Sequence, residues 1–143
     1  MENPLLHVRP KFIASLTFRG FATSPKEVQA RVGKPASLLV ARGEARRQGT
    51  TPFQKSAASW KMEFADSARL DEMIPALIES LGGVENLLSA KNTVSPEFFE
   101  FDISMWIKDS EEQEGGLIDA KTIAMLSQLG AGLSFGFYAR YDT

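Results

Sequence analysis

A chain of 143 residues that is 43% hydrophobic, with ten Phe and two Trp, has one domain's length and enough apolar side chain for one real core. It contains no Cys and a single His, His7, which excludes disulfide scaffolding, thiolate chemistry and structural zinc, and leaves no imidazole cluster to hold a metal or act as a base. The formal net charge of −2 hides a split: residues 1–60 carry ten Lys and Arg against three acids, or +7, and residues 61–143 carry six against fifteen, or −9.

A charge split of this kind either steers an oppositely charged partner to one face or is mixed within the fold; a compact sheet interleaves distant parts of the chain, so mixing is the expectation. Residues 1–10 read as an N-terminal extension to a single domain over 11–143, without the apolar core and cleavage pattern of a leader. No stretch approaches the roughly 18 apolar residues of a membrane span. A bacterial cytoplasmic address is expected.

Phe12, Ala14, Leu16 and Phe18 alternate with Ile13, Ser15, Thr17 and Arg19, the pattern of a half-buried first strand ending at Gly20. Ser24-Pro25-Lys26-Glu27 forms a capping box with Pro at the first helical position, Val28 and Val32 share a face, and Gly33 closes a short helix. Residues 34–58 carry Gly43, Gly49, Pro52 and the charges Arg42, Glu44, Arg46, Arg47 and Lys55. With only Leu38, Leu39 and Val40 as a candidate short strand, they read as a long basic loop, and loops of that length tend to be functional or mobile. Trp60, Met62 and Phe64 restart the alternation against Lys61 and Glu63 as a second strand.

Leu70, Ile74, Leu77, Ile78 and Leu81 mark the apolar face of a second helix, with Asp71 and Glu72 near its N-terminus and Pro75 tolerated only in or near the first turn. Gly82-Gly83 interrupts it, and Val84, Leu87 and Leu88 suggest a kinked continuation or a further short helix to Ala90. Phe99, Phe101, Ile103, Met105 and Ile107 alternate with Glu100, Asp102, Ser104, Trp106 and Lys108 in the longest strand, placed centrally. Asp109 to Gly116 is an acidic loop without apolar residues. Asp119 caps a last helix, with Ile118 and Ile123 where a hydrophobic staple packs and Gly130 as the left-handed closing residue; Leu133 to Ala139 then alternates as a final strand whose Leu133, Phe135 and Phe137 require an apolar cover. The order is βαβαβαβ. One polar side on every strand argues against a doubly wound parallel sheet, and the fold class is α+β: a four-stranded antiparallel or mixed sheet with two to three helices packed on one face.

Leu16-Thr17-Phe18-Arg19-Gly20 leading to Ser24-Pro25, the Gly33 and Pro35 turn, Arg42-Gly43-Glu44, Ser59-Trp60, and Leu126-Ser127-Gln128-Leu129-Gly130-Ala131 before a closing strand together resemble the bacterial domain of unknown function 4279, over about Phe12 to Tyr141. The resemblance implies a small stand-alone cytoplasmic α+β protein with no established biochemical role and no catalytic residues to transfer. Ser59-Trp60 and Arg42-Gly43-Glu44 are where family-specific work would be sought, although packing and turn formation also explain them. The Gly82-Gly83 break departs from the pattern.

Set side by side, the polar strand faces gather Thr17, Arg19, Lys61, Glu63, Glu100, Asp102, Trp106, Tyr138 and Arg140 on one surface. Glu100 and Asp102, two residues apart on a strand, lie roughly 7 Å from each other, a spacing compatible with a divalent cation or with acid and base work. Lys61 and Arg140 are positioned to neutralise them, no third ligand follows from the spacing, and a polar sheet face is ordinarily a solvated one. Neither a catalytic residue nor a cofactor or metal is therefore assigned. Trp106 and Tyr138 would stack bases while Arg42, Arg46, Arg47 and Lys55 held phosphates, but the acids on the sheet and a pI near 5.5 oppose nucleic acid. The same aromatic and charged residues suit a protein interface. The sequence thus favours a non-catalytic protein-interaction module, immunity-like with Asp109 to Glu114 facing a basic partner, or a homodimer. Trp106, Tyr138, Arg140, Glu100 and Asp102 are its candidate interface. The alternative is a small-ligand or nucleic-acid binder using the basic loop, and third an enzyme using the sheet carboxylates. His7 is expected to be exposed near the N-terminus.

Overall fold

In the computed structural model the described residues are 12–44, 53–65, 67–108 and 116–140. They form β1 (Phe12–Arg19), α1 (Pro25–Val32), β2 (Leu38–Val40), β3 (Ala57–Phe64), α2 (Leu70–Ser80), α3 (Val84–Val94), β4 (Phe98–Lys108), α4 (Ala120–Leu129) and β5 (Gly132–Arg140). The five strands lie in the order β2-β3-β1-β4-β5. All neighbours are antiparallel except β4 and β5, which run parallel. The α+β class and mixed sheet agree with the sequence reading, whereas the four strands, the two to three helices and the βαβαβαβ order do not. Leu38–Val40 is a true strand, held on Ala57–Ser59, so the expected 34–58 loop is divided. The Gly82-Gly83 break separates two helices, and β1 rather than β4 is the middle strand. The 1–10 extension, His7, Arg46, Arg47 and the acidic run Asp109 to Glu114 lie outside the described residues.

Local chemistry sets the element ends. Ser24 Oγ accepts from the Glu27 backbone N–H at 3.2 Å, and Gly33 (φ 82°) ends α1 in the left-handed conformation that costs a glycine little. Gly82 and Gly83 both have positive φ, 94° and 92°, and Asn86 then bridges the gap by donating to the Leu81 and Val32 carbonyls at 2.7 and 2.8 Å. Pro75 sits in the second turn of α2, one turn deeper than its missing N–H favours; the buried Met73, Ile74, Leu77 and Ile78 hold that helix by packing. Lys91 of α3 donates to the Leu129 carbonyl at 2.6 Å, tying the C-terminus of α4 to its neighbour where β5 begins.

Alternation sorts the sheet into two faces. Ala14, Leu16 and Phe18 of β1, Ala58 and Trp60 of β3, and Phe99, Phe101, Ile103 and Met105 of β4 are buried in one cluster with Val28, Met73, Leu77, Leu87, Leu126 and Leu129 from the helices. The opposite set forms a face that is open except where Val40 and Ala57 are buried near β2. On β5 the cover fails: Leu133 packs against the cluster, but Phe135 and Phe137 remain 43% and 63% exposed. The expectation that all three lie under an apolar cover is thereby corrected. Periodicity fixes which way a side chain points; it does not fix how far the helical layer extends. Of the expected staple, Ile118 packs against the core and Ile123 is 56% exposed.

The Asp119 carboxyl is held below its ordinary pKa by Thr122, through the hydroxyl first and the backbone N–H second. The N–H donates at 2.9 Å, while the buried Thr122 Oγ1 acts on the same carboxylate without closing a full hydrogen bond; the backbone contact is therefore what fixes the cap. A carboxyl with a lowered folded-state pKa stabilises the fold above its unfolded value of about 4, and the contribution is lost as pH falls through the lower folded value. Asp119→Asn keeps a capping oxygen and removes the charge. The gap in thermal midpoint between the wild type and this variant should narrow from pH 7 towards pH 3; a constant gap would assign the effect to something other than the carboxylate charge.

Candidate interaction surface

The registers order the open face row by row. Val40, Ala57, Arg19 and Phe98 form one row; Leu38, Ser59, Thr17, Glu100 and Gly132 the next; then Lys61, Ser15, Asp102 and Ser134; then Glu63, Ile13, Ser104 and Gly136; and last Trp106 beside Tyr138. The two basic and acidic halves of the chain are interleaved in these rows, as expected of a compact sheet. Glu100 and Trp106 share the face but stand six residues apart on β4, about 20 Å at strand spacing, so the predicted residues do not converge on one spot.

Asp102 is accounted for by its neighbours. One carboxylate oxygen accepts from Ser134 Oγ at 2.6 Å and the other from Ser104 Oγ at 3.1 Å, which ties β4 to β5 and gives each oxygen a partner within the sheet. Glu100 is exposed on the same strand. Among the described residues no group of three or more His, Asp or Glu side chains comes together as a metal site. Trp106 and Tyr138, paired in the β4–β5 register, stack with ring centroids 5.3 Å apart and planes 25° from parallel. The Tyr138 ring lies back over Gly136, where an added Cβ would come within 3.0 Å of it; this close approach explains a glycine in mid-strand. On the helix side of β5, Phe135 and Phe137 stack at 6.3 Å and 8°. Arg140 is placed by its backbone register opposite Lys108.

β5 is an edge strand. From Gly132 to Ala139 it has no charged residue and no Pro, and among the described residues no strand pairs with its outer side. Edge strands ordinarily carry Lys, Pro, bulges or extreme shortness to prevent pairing with another chain. The opposite edge, β2, is three residues long and fits that rule; β5, with nine residues, does not. The sequence marked Tyr138 and Arg140 but missed Phe135 and Phe137 as surface residues, because their alternation matched that of the core.

The basic loop resolves differently. Arg42 is exposed in a turn made by Gly43 (φ 84°) and closed by Glu44, whose carboxylate accepts from the Ala41 N–H at 2.8 Å; turn chemistry accounts for Arg42-Gly43-Glu44. Lys55 pairs with Glu97, and its ammonium lies 5.3 Å from the centre of the Phe98 ring. Between this segment and the sheet is an open cavity of about 430 Å³, lined by Thr17, Arg19, Leu38, Val40, Phe53, Lys55 and Ser59 among others. Its floor is fixed by a Thr17–Ser59 hydroxyl hydrogen bond of 2.6 Å.

Among the described residues the arrangement is an α+β fold with one sheet face under helices, the other largely open, and one long edge without a paired strand. The chain belongs to the family described as a domain of unknown function, DUF4279, whose model matches residues 10–140. Comparison with curated proteins and with solved structures returns no match. Among the described residues no helix is long and apolar enough to cross a membrane.

Proposed function

We propose that the protein is a non-catalytic interaction module whose partner is a protein, engaged along β5 and the aromatic residues flanking it. The carrying observation is the nine-residue edge, uncharged as far as Ala139 and bordered by the exposed Phe135, Phe137 and Tyr138. An edge of this kind offers unpaired backbone donors and acceptors for strand addition, while the aromatic rings supply apolar area at low cost in side-chain entropy. A second reading draws on the cavity, where Arg19 and Lys55 face two hydroxyls and an apolar wall, a lining suited to a small organic anion. Lys55 is already paired with Glu97, whose carboxylate opposes an anion at that end of the cavity, and this makes it the weaker case.

Phe137→Lys tests the first reading, because it places a cation on the edge and disturbs no buried side chain. Proteins captured from the native cell by the wild type should be lost with Phe137→Lys and retained by Arg19→Ala. Capture that tracks Arg19 and ignores Phe137 would transfer the function to the cavity, and identical capture by all three would sink the edge reading.

A further inference from the structure

We propose that the partner on β5 is a second copy of this chain, paired antiparallel about a two-fold axis through Gly136, so that two five-stranded sheets join into one of ten strands. This rests on the reading of β5 as an interaction edge and adds the occupant. Gly136 is the midpoint of Gly132–Arg140, so pairing centred there engages all nine residues, and because antiparallel partners share a face it keeps the open and helix-covered sides in register.

The strand is self-complementary in that register. On the helix side, Phe135 falls opposite Phe137 of the second copy and Phe137 opposite Phe135, bringing together four rings, two from each copy, that are 43% and 63% exposed in one chain alone. On the open side, Gly136 meets Gly136 with no side chain between the backbones, since each Tyr138 already lies over its own Gly136. The charges match as well. Residue 140, the single charged position on β5, falls opposite Gly132, and the β4 neighbour of Gly132 on that face is Glu100. Glu100 is exposed on that face, so its carboxylate is open to a cation arriving across Gly132. The two-fold repeats this juxtaposition of position 140 with Gly132 and Glu100 at both ends of the joint strand.

Closure favours a second copy over a foreign strand. Isologous pairing consumes both β5 edges at once, and the ten-stranded sheet then ends at each side in the three-residue β2, an edge too short to recruit another chain. A single strand pair is smaller than the roughly 800 Å² per partner of a stable standard interface. The dimer should therefore form reversibly with concentration.

Sedimentation equilibrium from micromolar to submillimolar protein is the test. The wild type should pass from monomer to dimer, and Phe137→Lys should stay monomeric. Glu100→Arg and Arg140→Glu, each placing like charges opposite one another, should raise Kd about tenfold or more, while the two together should return it to within about threefold of the wild type. Far-ultraviolet circular dichroism confirms that each variant is folded. A wild type that stays monomeric while Phe137→Lys still loses a captured protein would overturn self-pairing and leave the interaction reading standing. Monomeric behaviour without any such loss would end both. A dimer indifferent to Phe137→Lys but abolished by Trp106→Ala would put the second copy on the open face, and a double charge variant no tighter than the single ones would reject the Gly136 register.

Discussion

Truncating Phe18 to alanine is expected to lower the free energy of unfolding by about 3–5 kcal/mol, the range for a large aromatic removed from a core that only partly collapses around the space. Domains of this size are stable by about 5–15 kcal/mol, so the variant should sit close to its unfolding transition at ambient temperature. The site is chosen by topology. Phe18 lies on β1, the middle strand, and is fully buried. Its ring meets Trp60 of β3 edge to face at 5.6 Å and Phe99 of β4 at 4.9 Å, so one side chain joins three strands. Ala58, directly opposite on β3, is small enough to admit those rings and too small to fill the space that alanine at position 18 would leave. By contrast, Phe137→Ala removes a ring that is already 63% exposed and should cost under about 0.5 kcal/mol. Urea unfolding followed by tryptophan fluorescence measures both. Equal losses at the two positions would mean that the core is not centred on β1.

The contrast between these two phenylalanines shows what the sequence carries and what it leaves out. Both occupy the apolar side of an alternating strand, and alternation gives that side correctly in each. Cover is a property of the assembled helical layer, which reaches β1, β3 and β4 and stops short of the outer end of β5. Punctuation was legible for the same local reason: Ser24, Gly33, Asp119 and Gly130 act on backbone groups within four residues of themselves. β2 was not legible as a firm strand, because three residues carry no period; it exists through distant bonds such as Ser37 N–H to the Ser59 carbonyl at 2.7 Å. The parallel run of β4 and β5 was equally hidden, since direction within a sheet is set by the crossover through α4 rather than by the residues of the strands. Among the candidate site residues, the face of Glu100, Asp102, Trp106 and Tyr138 could be read from parity. The engagement of Asp102 by Ser134 and of Lys55 by Glu97 could not, because those partners lie 32 and 42 residues away in the chain.

Replacing Trp60 by phenylalanine is expected to destabilise the protein by about 2–3 kcal/mol, combining lost ring volume in the core with a broken hydrogen bond, while leaving association untouched. Trp60 belongs to the Ser59-Trp60 pair, one of the places where family-specific work would be sought, so its role bears on function. The structure gives both halves of the pair a duty within the fold. Trp60 is 3% exposed under the helices, and its indole Nε1–H donates to the Lys34 carbonyl at 2.9 Å, fixing the link from α1 to β2. Ser59 points to the other face, where its hydroxyl bonds Thr17 across to β1. A side chain buried between sheet and helices cannot touch a partner on β5, which lies beyond β1 and β4. Phenylalanine at position 60 would leave the Lys34 carbonyl without its indole donor and open a space beside Phe18, and the loss should be less than additive with Phe18→Ala because the two rings share one contact. Denaturant unfolding gives the stability change, and sedimentation at a temperature where the variant stays folded gives the association constant. A Trp60→Phe protein that kept its stability but lost association would place Trp60 in the interaction machinery and contradict the assignment of its buried indole to folding alone.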